Sequence, residues 1–256
     1  MNPLKIGVLV SGGGTNLQAL IDNGTSGALK AQIAFVATDN PEAYALQRAD
    51  EHGLPKIITP YSAMIKAWDN GASLPPEDFD LGDVLGKSSL MAAADPKQRE
   101  RFFITRAICE ADLLQQMAAY EYDLLVLAGF MRTFTPYFID RVQTPGQFRI
   151  MNIHPALLPA FPGRDGYGDT LRFGCKVGGC TVHFVDYGED TGPIIAQSAF
   201  DIEPQDTLES IKAKGLKLEW QTYTKALNLY ADDRIEIFAG EPDSLGKTRF
   251  MTKIKA

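Results

Sequence analysis

Asn152, His154 and Asp190 are the side chains in this 256-residue sequence whose types and neighbours best suit acid–base chemistry. Asn152 and His154 stand two apart at the end of an otherwise apolar stretch, 148–153. In an extended chain this spacing sends both side chains to one face, placing an amide donor beside an imidazole. Pro155 follows and cannot continue a hydrogen-bonded ladder. Polar groups ending a buried strand need partners, so packing alone is a poor reason for them. The chain has only three histidines, and His52, near the end of a helical pattern, reads as structural. Asp186, Glu189 and Asp190 crowd the segment between His183 and Thr191-Gly192-Pro193. One acid there is ordinary turn chemistry, but a carboxylate folded over His154 would hold the imidazole charged and take up a proton.

A second constellation is Ser11-Gly12-Gly13-Gly14-Thr15-Asn16. It follows the apolar run 5–10 (KIGVLV) and precedes Leu17, Leu20 and Ile21 at helical spacing, so it joins a buried strand to a helix N-terminus. Amide N–H groups and the helix dipole at such a turn favour an anion, and the expected ligand is a phosphate. A nucleotide P-loop is excluded because no Gly-Lys-Ser/Thr follows, and Leu17 stands where the dinucleotide fingerprint needs its third glycine. Asp39 reads as a helix cap.

The elements that must position these groups alternate strand and helix, the mark of a mostly parallel sheet. The run 31–37 leads to Asp39-Asn40-Pro41 as a helix start closed by Gly53, and Lys56-Ile57-Ile58 follows. From Tyr61 to Ala94 no period is sustained, so 61–94 is expected to be an insertion at the sheet's edge or rim. Asp95-Pro96 caps a long helix with Ile104, Ile108, Ala111, Leu114 and Ala118 on one face. The run 123–128 is a strand ending at Gly129, and 148–153 another, followed by a proline-rich loop over 155–166. The runs 180–186 and 194–202 form a hairpin around a tight acidic turn. Asp206 and Glu209 form a capping box opening a helix through Tyr230, and 234–238 is a final strand. The expected fold is α/β, a Rossmann-like sheet flanked by helices with a C-terminal hairpin and long helix.

With 32 acidic against 25 basic residues the net charge is −7, which opposes a nucleic acid or an anionic membrane as partner. The three cysteines form no Cys-x-x-Cys pair, so a reducing, cytoplasmic compartment and no metal are expected. No leader and no long apolar run is seen.

The segments 5–22 (KIGVLVSGGGTNLQALID), 124–136 (LLVLAGFMRTFTP), 151–163 (MNIHPALLPAFPG) and 179–197 (GCTVHFVDYGEDTGPIIAQ) resemble the phosphoribosylglycinamide formyltransferase family, folate-dependent enzymes of purine synthesis. Apart from 61–94 the resemblance spans nearly the whole chain. It implies a single formyltransferase domain over 1–256, with a nucleotide-binding half (1–122) and a catalytic, folate-binding half (123–256). It implies small-molecule partners, 10-formyltetrahydrofolate as co-substrate and glycinamide ribonucleotide as acceptor, in a monomer or homodimer. Gly13, Gly14, Thr15 and Asn16 would hold the acceptor's phosphate and Glu219 its ribose. Arg106, Met131, Arg132, Thr133, Phe134, Asn152, Asp186 and Asp190 would line the folate site, with Asn152, His154 and Asp190 as catalytic trio. The chain departs from the family pattern in three places. Arg164-Asp165-Gly166-Tyr167 stands where a further histidine is usual, Glu219-Trp220 replaces a Glu-His pair, and Thr224 replaces a proline after Tyr223. A sugar-nucleotide formyltransferase, a formyltetrahydrofolate deformylase and a non-catalytic nucleotide-binding module are the competing expectations. Methionyl-tRNA formyltransferase fits poorly, because its further C-terminal domain and basic surface have no counterpart here.

Overall fold

The computed structural model describes residues 3–144, 146–242, 246 and 248–255. Strands β1 (Leu4–Val10), β2 (Ala31–Thr38), β3 (Lys56–Ile58), β4 (Leu124–Leu127), β5 (Ile150–His154), β6 (Val177–Phe184) and β7 (Ile194–Asp201) form one sheet in the order β3-β2-β1-β4-β5-β6-β7. The first five are parallel, and the β6–β7 hairpin adds antiparallel to β5. The expected mostly parallel sheet is therefore the observed one. Helices α1 (Thr15–Thr25), α2 (Ala45–Glu51), α5 (Pro96–Met117) and α8 (Leu208–Ala231) cover its two faces. Strict alternation in the buried strands divides the core. Ile6, Val8, Val10, Leu124 and Val126 pack with Leu17, Leu20, Tyr223 and Leu227 on one side. Leu9, Leu125 and Leu127 pack with Leu113, Met117 and Phe138 on the other. Because both faces are covered, the strands read as continuous apolar runs.

Several boundaries move. The helix expected from Asn40-Pro41 begins only at Ala45, since Asn40 closes a local turn, its Oδ1 accepting from Glu42 N at 3.0 Å. The 61–94 insertion is not irregular: it holds α3 (Tyr61–Asp69) and α4 (Leu81–Lys87), both packed on α5. Asp95 does cap α5, accepting from Lys97 N and Gln98 N. Of the expected face of α5 Ile108 is buried, Ile104, Ala111 and Leu114 are half-buried and Ala118 is exposed; the buried stripe also runs through Phe103, Ala107, Glu110, Leu113 and Met117. α8 is capped by Thr207 and Ser210 rather than by Asp206 and Glu209. Asp206 is taken up by Lys214, Ser210 Oγ and Glu203 N. The hairpin's connection is the longer loop 185–193, not a tight turn. α6 (Pro136–Val142) and α7 (Gly166–Phe173) were not expected. β8 (Ile235–Ala239) lies outside the main sheet and pairs with β9 (Phe250–Ile254), which becomes the last strand.

One buried acid joins two of these elements. Glu110 of α5 is fully buried and accepts from Thr135 N at 2.8 Å and Thr135 Oγ1 at 2.5 Å, fixing the N-cap residue of α6. Burial pushes its carboxyl up to about 7, against the opposing pull of the Thr135 bonds and Arg106. A carboxyl raised in the folded state stays protonated there after it has ionised in the unfolded chain, so its contribution to stability falls as pH rises from about 4.5 to about 7. Glu110→Gln abolishes that slope while leaving an amide to face Thr135. The stability of the variant relative to the parent should therefore climb by up to about 3 kcal/mol over this window, read by urea unfolding at successive pH values. Parallel curves for the two proteins would show that Glu110 ionises as freely folded as unfolded.

Candidate active site

The strand order reverses between β1 and β4, the switch point where open α/β sheets bind ligands outside the carboxyl ends of their strands. The turn after β1 and the turn after β4 are tied there: Ser11 N donates to Gly129 O at 3.1 Å and Met131 N to Ser11 Oγ at 2.8 Å. β5 ends beside them with Asn152 and His154. Gly14 adopts φ 68 and caps α1, and a Cβ there would meet Ala45 Cβ at 2.8 Å, so this glycine serves the fold. Gly12 and Gly13 have nothing within 4 Å of a would-be Cβ. The fold does not need them bare, and the space above the turn is open to a ligand.

The antiparallel register pairs Asn152 of β5 with His183 of β6 and His154 with Thr181. Directly opposed residues share a face, which brings in His183, passed over at the sequence level. Its Nδ1 lies 2.8 Å from Phe184 O, and a carbonyl only accepts, so Nδ1 carries the hydrogen. Nε2 lies 3.2 Å from Asn152 Nδ2 and 3.5 Å from Asp190 Oδ1. His154 faces acceptors at both nitrogens: Nδ1 is 3.2 Å from Asp190 Oδ2 and Nε2 is 2.8 Å from Phe161 O. Only the doubly protonated ring satisfies both.

Asp190 closes this cluster. It is the residue at φ 53 in the loop 185–193 and also accepts from Gly163 N at 2.8 Å, so it links that loop to the proline-rich loop. Burial opposes its ionisation, but the adjoining His183 ring, the His154 charge and the Gly163 amide outweigh it and hold the carboxyl below its ordinary range. Asn152, His154 and Asp190 are thus brought together as expected.

The cleft over them is walled by residues 129–134 on one side and 185–191 on the other. Met131, Arg132, Thr133 and Phe134 line it, as does Asp186, whose Oδ1 accepts from Thr191 Oγ1 at 2.6 Å. Phe134 stacks on Phe138 at 3.8 Å. Arg132 Nε donates to the buried Asp39 at 2.5 Å, so Asp39 is an ion-pair partner rather than a helix cap. Arg106 does not join the cleft. It is buried in α5 between the Tyr61 and Phe102 rings, 5.3 and 5.1 Å away, with Nε unpartnered among the described residues.

On the other flank Asn16 Nδ2 donates to Glu219 Oε2 at 2.8 Å, joining the glycine turn to α8. Tyr167 of α7 donates to Glu219 Oε1 at 2.6 Å, a partner that the sequence did not disclose. Asp165 instead turns to Arg172, 2.7 Å away at the surface. A larger groove of about 810 Å³ runs between α1 and α8, and none of these candidate residues lines it. Among the described residues no His/Cys/Asp/Glu group could hold a metal ion, and no helix is long and apolar enough to cross a membrane. Burial pushes the Cys109 and Cys180 thiols up to about 12 and about 11, which leaves both unreactive at neutral pH.

Residues 4–227 match the family model described as formyl transferase. The chain is 34% identical over 223 residues to a phosphoribosylglycinamide formyltransferase of Bacillus subtilis, covering 87% of this chain and 92% of that protein. It is 32% identical over 233 residues to one of Haemophilus influenzae, covering 91% and 90%. The crystal structure of glycinamide ribonucleotide transformylase 1 from Symbiobacterium toebii superposes with a TM-score of 0.71 at 31% identity, covering 100% of this chain and 95% of that one. With a family match across most of its length and relatives of this identity and coverage, the chain belongs to the formyl transferase family, among the phosphoribosylglycinamide formyltransferases.

Proposed function

We propose that this chain transfers the formyl group of 10-formyltetrahydrofolate to the amine of glycinamide ribonucleotide, with Asn152, His154 and Asp190 as its catalytic residues. The observation that carries the reading is the cluster at the end of β5. There two imidazoles flank one carboxylate and the Asn152 amide pairs with one of them, beside a glycine turn open to an anion. The 129–134 and 185–191 walls suit the folate: one offers main-chain groups and the exposed Met131 side chain, the other main-chain and carboxylate groups. The formyl folate supplies the electrophilic carbon. The 1–122 half holds the ribonucleotide through Gly13, Gly14, Thr15 and Asn16, and the 123–256 half adds Glu219 to that site and supplies catalysis and the folate walls. The same reading makes the partners small molecules and the compartment the cytoplasm, which the three free cysteines support.

As the acceptor's amine attacks, negative charge develops on the formyl oxygen. Asn152 gives one amide hydrogen to His183 and keeps the other for that oxygen. His154 reaches it by exchanging the Phe161 carbonyl at Nε2, while Asp190 keeps Nδ1 occupied and the ring charged. Asp190 then takes up the amine's proton through His154 or water, and as the tetrahedral intermediate collapses the bond from the formyl carbon to the folate nitrogen breaks, that nitrogen gaining a proton by the same relay so that tetrahydrofolate leaves. The decisive assay follows 10-formyltetrahydrofolate with and without glycinamide ribonucleotide. Consumption should require the ribonucleotide and yield its formylated amine; equal consumption without it would make the protein a deformylase.

The open turn at Gly12 and Gly13 predicts that inorganic phosphate inhibits competitively with the ribonucleotide and not with the folate. Competition with the folate would put the anion in the other half of the site.

Asn152→Ala and His154→Ala should each lower kcat by about 10²–10³-fold while changing the Kd of either ligand little, since each removes a donor aimed at developing charge. Both donors serve one oxygen and share Asp190 through His183, so the double variant should fall short of the product of the two effects. Single-turnover rates and equilibrium titrations separate the terms. Variants that bind poorly yet turn over normally at saturation would make the pair binding residues.

A further inference from the structure

The 61–94 insertion reaches the catalytic loop through α4. Ser88, at the C-terminal end of α4, is buried, and its Oγ donates to Tyr187 O at 2.6 Å while accepting from Leu90 N at 3.2 Å. Both capacities of the hydroxyl are thus used. The turn that carries Ser88 is itself pinned to α5, because Arg99 Nη2 donates to Ser88 O at 2.6 Å and Arg99 Nε to Leu90 O at 3.1 Å. A second grip falls on the same loop residue. Tyr187 OH donates to Asp140 Oδ1, and Lys87 Nζ, again from α4, donates to Asp140 Oδ2 at 2.8 Å. Tyr187 is three residues ahead of Asp190.

Packing holds only the start of this loop, where Val185 and Tyr187 lie against the core beside Phe138 and Ile150. Its inner side forms the wall of the cleft. Behind it lies a cavity of about 530 Å³ between Tyr187 and Gly188 on one hand and Lys87, Ser88, Gln143 and Phe250 on the other. Hydrogen bonds therefore carry the positioning, and they hold a loop whose Asp190 sits at φ 53, a conformation that a non-glycine residue keeps only when its surroundings impose it.

We propose that the insertion acts as a brace for the 185–193 loop, and that Ser88 is a positioning residue that keeps Asp190 and the folate wall in register. The proposal rests on the reading that this loop borders the formyl-folate cleft. Ser88→Ala removes the donor to Tyr187 O with a minimal change of volume, and Tyr187→Phe removes only the second grip.

Two measurements on the full chain test it: amide hydrogen exchange of the 185–193 peptide, and steady-state kinetics with both substrates. In Ser88→Ala exchange across 185–193 should accelerate. KM for the formyl folate should rise and kcat fall, each by about tenfold, as expected when catalytic groups lose their geometry. KM for the ribonucleotide should hold, and Ser89→Ala, at an exposed neighbour, should match the parent in every respect. Tyr187→Phe should shift the same constants in the same direction, which keeps the test decisive if Ser88→Ala folds poorly. Unchanged exchange in both variants overturns the brace. Faster exchange with parental kinetics, or equal rises in both KM values, overturns the positioning role. If the parent itself transfers no formyl group, the functional reading fails, while the exchange data still decide on the brace.

Discussion

A single, partly buried carboxylate, Asp190, is the constraint on which the rest of the site depends. It touches three segments distant in sequence: His154 at the end of β5, His183 on β6 and the Gly163 amide in the proline-rich loop. An ion removed from water is tolerated only where donors replace its hydration. Here the His154 ring and the Gly163 amide do so, and with the His183 ring beside them their pull outweighs burial. The same contacts orient the imidazole of His154 and fix where the 155–166 loop passes. One acid thereby sets both the chemistry and the shape of the cleft.

That arrangement is available because the sheet changes direction at β5. The parallel strands bring the ends of β1, β4 and β5 to one rim, where the glycine turn, the 129–134 wall and Asn152 meet. An antiparallel β6 then runs back past β5, which sets His183 opposite Asn152 and delivers the 185–193 loop over the rim. Below, Tyr223 of α8 donates to Met151 O at 2.8 Å and Leu127 O at 3.1 Å, tying β4 and β5 together just beneath the catalytic pair. The strands supply rigidity, and the loops supply the groups that meet a ligand.

What could be read from the sequence follows this division. Buried parallel strands and their glycine and proline punctuation announce themselves, so the 5–16 and 123–129 units, the hairpin and the long last helix were foreseen. Asn152 and His154 were foreseen because an Asn-x-His ending an apolar strand has no packing rationale. His183 was not, since its role arises only from the cross-strand register with β5. Tyr167 was missed with α7, a short helix hidden behind a proline-rich loop. The burial of Arg106 was hidden too, because the Tyr61 ring that covers it comes from the insertion, where no hydrophobic period was sustained.

The two flanks of the site are controlled in different ways. On the glycine-turn side, Glu219 accepts from Asn16 at one oxygen and from Tyr167 at the other, which ties α1 and α7 to α8. Asp165 takes no part there and pairs with Arg172 at the surface. On the 129–134 side, Arg132 is already paired with Asp39 and lies 5.6 Å from the Tyr61 ring, which Arg106 also approaches. Tyr61 opens α3 of the insertion, and Ser88 ends its α4. The 61–94 segment thus touches the 129–134 and 185–193 sides of the cleft at its two ends, while Asn152 and His154 on β5 bond to β6 and to the two loops. The walls of the cleft and the strand at its centre are therefore held by different parts of the chain.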